Sequence, residues 1–75
     1  MNYLDSFSVR LKSLRKAMNL TQPAVAEVVG VTKQSINDLE HARVNPSVPT
    51  LIALADLFNV SLDYLCGRSD DPKRR

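Results

Sequence analysis

The side chains that usually carry enzyme chemistry are sparse in this sequence. Its single cysteine, Cys66, and its single histidine, His41, can form neither an internal disulfide nor a metal cluster. The sequence has no glycine-rich phosphate loop and no paired catalytic carboxylates. We therefore expect a protein that is not an enzyme and needs no cofactor or metal ion, with His41 at an exposed helix end and Cys66 as a small buried thiol.

Polar side chains in the middle of the chain could carry a different chemistry. Lys33, Gln34, Asn37 and Asp38 all face outward from one predicted helix. Lysine can bond guanine, glutamine can bond adenine through two hydrogen bonds, and aspartate can accept from the amino group of cytosine. Outward polar side chains are more commonly just solvated. Whether these side chains contact DNA or are only solvated therefore depends on the secondary structure that positions them.

Apolar spacing and capping residues predict five helices. The first covers about residues 6–18, where Phe7, Leu11, Leu14 and Met18 recur on one face. The next four begin after the caps Thr21, Thr32, Ser47 and Ser61, and glycines end the second and the fifth. Their apolar residues are Val25, Val28 and Val29, then Ile36 and Leu39, then Leu51, Leu54, Ala55 and Phe58, and finally Leu62, Tyr64 and Leu65. The sequence predicts an all-α protein.

The junction between the second and third helices has the composition of a tight corner. Two helices that cross steeply need a small residue where they touch and a residue that tolerates positive φ in the turn. Ala26 and Gly30 meet these two needs. The spacing favours a helix-turn-helix, although an ordinary antiparallel helix pair would also fit.

The residues around this corner resemble the lambdoid phage repressor and Cro family, also called the Xre-type helix-turn-helix regulators. The resemblance rests on residues 21–26, Gly30-Val31-Thr32, Ser35-Ile36, Glu40, Asn45-Pro46, Leu51, Leu54, Ala55 and residues 60–65, and it extends over about residues 7–65. It implies a five-helix lambda-repressor-like domain over residues 1–68, with the helix-turn-helix at about 21–41. The implied function is a transcriptional regulator, namely a repressor, that places its third helix in the major groove of a palindromic double-stranded DNA operator.

The resemblance also implies which residues contact DNA. They are Gln22 at the start of the second helix, Thr32, Lys33, Gln34, Ser35, Asn37 and Asp38 in the recognition helix, and Arg43 and Asn45 in the loop after it. Gln22, Arg43 and Asn45 match phosphate-contacting regions of relatives. The first turn of the recognition helix matches a region that contacts base edges and nearby phosphates.

One implied contact is structural, and three residues depart from the family pattern. Arg15 and Glu40 match an ion pair that would tie the recognition helix to the first helix. Ala42 replaces a glycine common in relatives, so either the alanine bears left-handed strain or the helix exit differs. Pro23 has no backbone N–H, so one possible donor to a DNA phosphate is lost at the start of the second helix. Asp38 places a negative charge near DNA, which would either specify cytosine or repel the backbone.

Apolar residues near the end of the chain exceed what one small core can bury. We expect a homodimer on DNA through Leu62 and Tyr64, as the resemblance also implies, although both residues could instead complete the monomer core. Residues 69–75 are polar and are predicted to form a flexible basic tail.

Charge and composition leave one rival class of function. The net charge is +2, and Arg10, Lys12, Arg15 and Lys16 crowd the first helix, either as a solvated face or as phosphate contacts. The rival is a helical interaction module, such as an antitoxin or adaptor, whose partner is a protein; unlike a DNA-binding protein, it would lack salt-dependent retention on DNA. With no signal peptide or membrane span evident, we expect a cytoplasmic protein that is bacterial or phage-encoded.

Overall fold

The computed structural model describes residues 2–74 and confirms the predicted all-α, five-helix fold. The helices are α1 (Tyr3–Ala17), α2 (Gln22–Val29), α3 (Lys33–Glu40), α4 (Val48–Phe58) and α5 (Leu62–Leu65). Met1 and Arg75, which end the predicted domain and tail, lie outside the described residues. No helix within the described part of the chain is long and apolar enough to cross a membrane.

Side-chain caps set where each helix begins. Thr21, Thr32, Ser47 and Ser61 accept backbone hydrogen bonds at the starts of α2 to α5, as predicted. The prediction for α1 was wrong, because this helix begins at Tyr3 and not near residue 6. Asn2 is its cap and accepts from the backbone N–H of Asp5 at 3.0 Å, which adds almost a full turn before the apolar stripe.

The core draws fully buried side chains from all five helices. These are Phe7 and Leu11 from α1, Val25 from α2, Ile36 from α3, Leu54 from α4 and Leu65 from α5. Two predicted core residues lie outside it, since Val28 is 64% exposed and Met18 is 47% exposed. An eight-residue helix presents only one narrow face to the core, and α2 uses it for Val25 and Ala26.

The corner between α2 and α3 has the predicted form. Gly30 adopts a left-handed conformation with φ of 80°, and its N–H donates to the carbonyl of Ala26 at 2.9 Å. Ala26 is 3% exposed where the two helices meet. The hydroxyl of Ser8 donates to the carbonyl of Leu39 at 2.6 Å and so joins α1 to α3. These contacts fix α3 against the scaffold and leave its first turn at the surface.

Ala42 keeps the left-handed geometry that glycine would provide. Its φ is 57°, so the alanine accepts backbone strain and the chain turns sharply after α3. Directly after this turn, the N–H of Arg43 donates to the carbonyl of Asp38 at 2.9 Å. The turn therefore brings Arg43 back beside the helix it has just left.

Residues 69–74 lie against the helical domain. Arg10 donates to the Ser69 carbonyl at 2.5 Å and pairs with Asp70 at 2.8 Å. Pro72 accepts from the N–H of Ser61 at 3.0 Å. The flexibility of this tail stays a prediction.

Candidate nucleic-acid interface

The first turn of α3 presents polar side chains at the surface. Thr32, Lys33 and Gln34 are exposed, and Ser35 is half-buried. The Thr32 hydroxyl accepts from the Ser35 N–H and donates to the Ser35 hydroxyl, both at 3.0 Å. This pair thus caps the helix, whereas Lys33 and Gln34 are the longer side chains that project from the turn.

Four of the predicted DNA-contacting residues form one hydrogen-bonded group, which we call the Asp38 cluster: Gln34, Asn37, Asp38 and Arg43. Asp38 Oδ1 accepts from Gln34 Nε2 at 3.0 Å and from Arg43 Nη1 at 3.3 Å. Arg43 Nη1 also donates to Asn37 Oδ1 at 3.2 Å. The structure therefore brings the outer side of α3 and the following loop together around one carboxylate.

Gln22 connects this cluster to the protein interior. Its Nε2 donates to Glu40 Oε1 at 3.2 Å, and its Oε1 accepts from Asn37 Nδ2 at 3.4 Å. The side chain is half-buried between α2 and α3. Gln22 is thus held in place by partners on both sides.

Arg15 and Glu40 form a bidentate ion pair between α1 and α3. Arg15 Nε lies 2.6 Å from Glu40 Oε2, and Nη2 lies 3.1 Å from Oε1. The side chains are only 14% and 1% exposed. Arg15 Nη1 also donates to the Leu20 carbonyl at 2.9 Å. The hydrogen bond to Glu40 raises the pKa of the Arg15 guanidinium, which therefore stays charged.

Lys33 and Asn45 lie outside the Asp38 cluster. Lys33 is exposed at the start of α3. The Asn45 side-chain oxygen accepts from the hydroxyl of Tyr3, which links the loop after α3 to the start of α1. Asn45 is exposed, as is Arg43, whose side chain is 57% exposed.

Two of the four basic residues of α1 make internal contacts. Besides the Arg15 pair, the Arg10 guanidinium donates to the Tyr64 carbonyl at 2.6 Å and lies 4.1 Å from the centroid of the Tyr64 ring. Lys12 and Lys16 are exposed. Arg10 therefore holds α1, α5 and residues 69–70 together. Sequence reasoning missed this role of Arg10, since its partners are more than 50 residues away in sequence.

The two predicted dimer residues differ in exposure. Leu62 is 44% exposed beside Ile52, which is 46% exposed, and both line an open groove with Asp71 and Arg74. Tyr64 is half-buried against the core, under the Arg10 guanidinium. Leu62 is thus the more accessible of the two.

The residues with potential for other chemistry are isolated. Among the described residues, no group of three or more His, Cys, Asp or Glu side chains could hold a metal ion. Burial, with a smaller contribution from Asp63, raises the pKa of the Cys66 thiol, which disfavours its nucleophilic thiolate. His41 is exposed at the end of α3.

Comparison with known proteins places this geometry in a family. The helix-turn-helix model HTH_3 matches residues 11–65. Over 63 residues the chain is 43% identical to the uncharacterized HTH-type transcriptional regulator YobD of Bacillus subtilis, covering 84% of this chain and 56% of that protein. Over 59 residues it is 37% identical to the cryptic phage CTXphi transcriptional repressor RstR of Vibrio cholerae, covering 79% of this chain and 53% of that protein. The chain therefore spans about half the length of these two relatives.

A solved structure agrees with the family match. The P22 c2 repressor, crystallised with the synthetic operator 9T, superposes with a TM-score of 0.80 at 28% identity, covering 84% of this chain and 96% of that chain. Since the family model spans most of the sequence and the fold agrees throughout that span, the chain belongs to the HTH_3 helix-turn-helix family of Xre/Cro/C1-type DNA-binding transcriptional regulators, which are not enzymes.

Proposed function

We propose that this chain is the DNA-binding unit of a repressor that recognises a palindromic operator, with the first turn of α3 in the major groove. The observation that carries the proposal is the exposed pair Lys33 and Gln34. Both project from the start of α3, a helix whose other end is held to α1 by the buried Arg15–Glu40 pair. A rigid support of this kind is what precise reading of base edges needs. The P22 c2 repressor, a solved relative of similar shape, was crystallised with an operator.

The remaining polar residues have distinct proposed roles. Gln22 lies at the start of α2, and Arg43 and Asn45 lie in the loop after α3. All three contact phosphates, and these contacts position the protein without reading sequence. Thr32 and Ser35 maintain the helix start and reach the nearest phosphates. Asn37 and Asp38 face bases further along the groove, where asparagine can bond adenine and aspartate can accept from cytosine.

Selection of bound sites from random duplexes tests the function. We expect an enriched palindrome whose half-sites lie about one helical turn apart. Retention on non-specific DNA should fall steeply with salt. An interaction module whose only partner is a protein would show neither enrichment nor salt-dependent retention, and that result would reject the proposal.

Gln34→Ala should weaken binding to the selected operator by about 1–3 kcal/mol and relax the preference at one base position in each half-site. The reason is the loss of a bidentate hydrogen bond to a base edge. Repeating the site selection with the variant measures the preference. Its melting temperature should match that of the wild type, because Gln34 is exposed and its side chain bonds the surface residue Asp38. An unchanged binding-site preference would reject the role of Gln34.

We further propose that two copies bind the operator through the exposed surface around Leu62, with Tyr64 at its edge. Leu62→Asp should abolish cooperative binding to a two-half-site duplex and weaken that binding about tenfold or more, the equivalent of about 1.4 kcal/mol. Val9→Asp is the control, since Val9 is also exposed, at 61%, but lies on α1. Sedimentation of the protein–duplex complex counts the protomers. One protomer per duplex at saturation would exclude the dimer.

A further inference from the structure

Asp38 is the shared acceptor of two side chains that the proposed function directs to DNA. Its Oδ1 accepts from Gln34 Nε2 at 3.0 Å and from Arg43 Nη1 at 3.3 Å. The fold builds this arrangement, because the left-handed Ala42 turns the chain and the backbone N–H of Arg43 bonds the Asp38 carbonyl at 2.9 Å. Arg43 is therefore held beside Asp38 by the main chain as well as by its side chain.

The Arg43–Asp38 contact is weak enough to be exchanged for a phosphate. The two side chains are 57% and 26% exposed, and an ion pair at such a surface contributes only about 0–1 kcal/mol. A DNA phosphate can therefore compete for the guanidinium. The exchange, however, leaves the Asp38 carboxylate without its cationic partner and close to a negatively charged backbone.

The cost of this exchange depends on the base that Asp38 meets. A cytosine amino group can donate to the carboxylate and replace part of what Arg43 supplied. Thymine offers only an acceptor and a methyl group in the major groove, and the amino group of adenine lies beside the acceptor N7, which repels a carboxylate. Where no cytosine amino group meets Asp38, the carboxylate is poorly compensated. The contact therefore penalises non-specific DNA more than a matching site.

We propose that Asp38 acts as an intramolecular competitor for Arg43, which lowers the affinity for non-specific DNA and so raises specificity. This inference rests on the proposed function and deepens it by naming the residue that suppresses binding to the wrong sites. Specificity of this kind comes from a repulsive element, in addition to the attractive contacts of Lys33 and Gln34.

The test is Asp38→Ala, measured on a duplex that contains only A·T pairs and so has no cytosine for Asp38. The variant should bind this duplex about two- to fivefold more tightly than the wild type, the range that loss of an exposed ion pair allows. The slope of log Kobs against log salt should steepen by about 0.9, because Arg43 becomes free to displace one more counterion. Asp38→Asn keeps the size of the side chain and serves as a second variant if the alanine variant does not fold.

Two further variants separate this effect from a general change in charge. In an Arg43→Ala background, Asp38→Ala should lose most of its gain, because there is no guanidinium left to release. Asp56→Ala removes a carboxylate that also pairs with an arginine, Arg74, at 2.6 Å, but on α4, and it should leave the salt slope unchanged. The same gain with and without Arg43, or an equal gain from Asp56→Ala, would overturn the inference.

Failure of this inference is distinguishable from failure of the proposed function. If the wild type binds the duplex with salt-dependent affinity but Asp38→Ala changes nothing, only the role of Asp38 is rejected. If no variant binds duplex DNA in a salt-dependent way, the proposed function and this inference fall together.

Discussion

Replacing Glu40 by glutamine should lower the free energy of unfolding by about 3–5 kcal/mol, because it leaves the largely buried Arg15 guanidinium without its counter-charge. The Glu40 and Arg15 side chains are 1% and 14% exposed, so little water is available to compensate. A loss of that size is a large share of the stability of a small domain. Glu40→Gln is thus the substitution for which we expect the largest loss of unfolding free energy.

Hydrogen-bond chemistry makes the glutamine an unsuitable substitute despite its matching shape. The Glu40 carboxylate accepts from Arg15 Nε, from Arg15 Nη2 and from Gln22 Nε2. A glutamine has one acceptor oxygen, and its NH₂ group would face at least one of these donors. Turning Gln22 over would not relieve the conflict, since its oxygen already accepts from Asn37.

Asp56→Asn provides a matched control for Glu40→Gln. Asp56 pairs with Arg74 at 2.6 Å, the same distance as the closest Arg15–Glu40 contact, but its side chain is 60% exposed. Asp56→Asn should therefore lower the free energy of unfolding by only about 0–1 kcal/mol. Urea denaturation of both variants measures the difference. If the Glu40 variant is no less stable than the Asp56 variant, the ion pair between α1 and α3 does not hold α3 in place.

Helix starts could be predicted from the sequence because their signals are local. Thr21, Thr32, Ser47 and Ser61 each precede a helical apolar pattern, and each cap bonds a backbone N–H three residues later. Asn2 works in the same way but comes before the apolar face of α1 is evident. The start of α1 was therefore placed too late.

The polar contacts of the candidate site could be predicted only in part. The exposed positions of Lys33 and Gln34 follow from helical periodicity. The bond between Gln22 and Asn37 depends on how α2 crosses α3, and the position of Arg43 depends on an alanine in a left-handed turn. Neither the crossing nor the strained turn has a local sequence signal strong enough to fix side-chain partners.

Gly67→Ala is the second substitution for which we expect a large effect, a loss of roughly 2–5 kcal/mol of unfolding free energy. A Cβ at this position would lie 2.3 Å from Ser6 Cβ and 2.9 Å from Ser6 Oγ, so α1 and the end of α5 would have to move apart. The φ of Gly67 is also +79°, which adds about 1–2 kcal/mol of strain for alanine. Steric overlap and backbone strain act together at this one position.

Gly30→Ala separates the two contributions to the Gly67 effect. Gly30 has a φ of +80°, but an added Cβ there would meet no atom within 4 Å. Gly30→Ala should therefore cost only the strain of about 1–2 kcal/mol.

In a Ser6→Gly background, Gly67→Ala should approach that smaller cost, because the colliding Cβ is gone. Urea denaturation of Gly67→Ala, Gly30→Ala, Ser6→Gly and the Ser6→Gly/Gly67→Ala double variant gives these differences. Equal losses at Gly67 and Gly30 would contradict close contact between α1 and the end of α5. Because α5 carries Leu62 and Tyr64, the residues of the proposed dimer surface, we also expect a looser contact to reduce the cooperativity of operator binding.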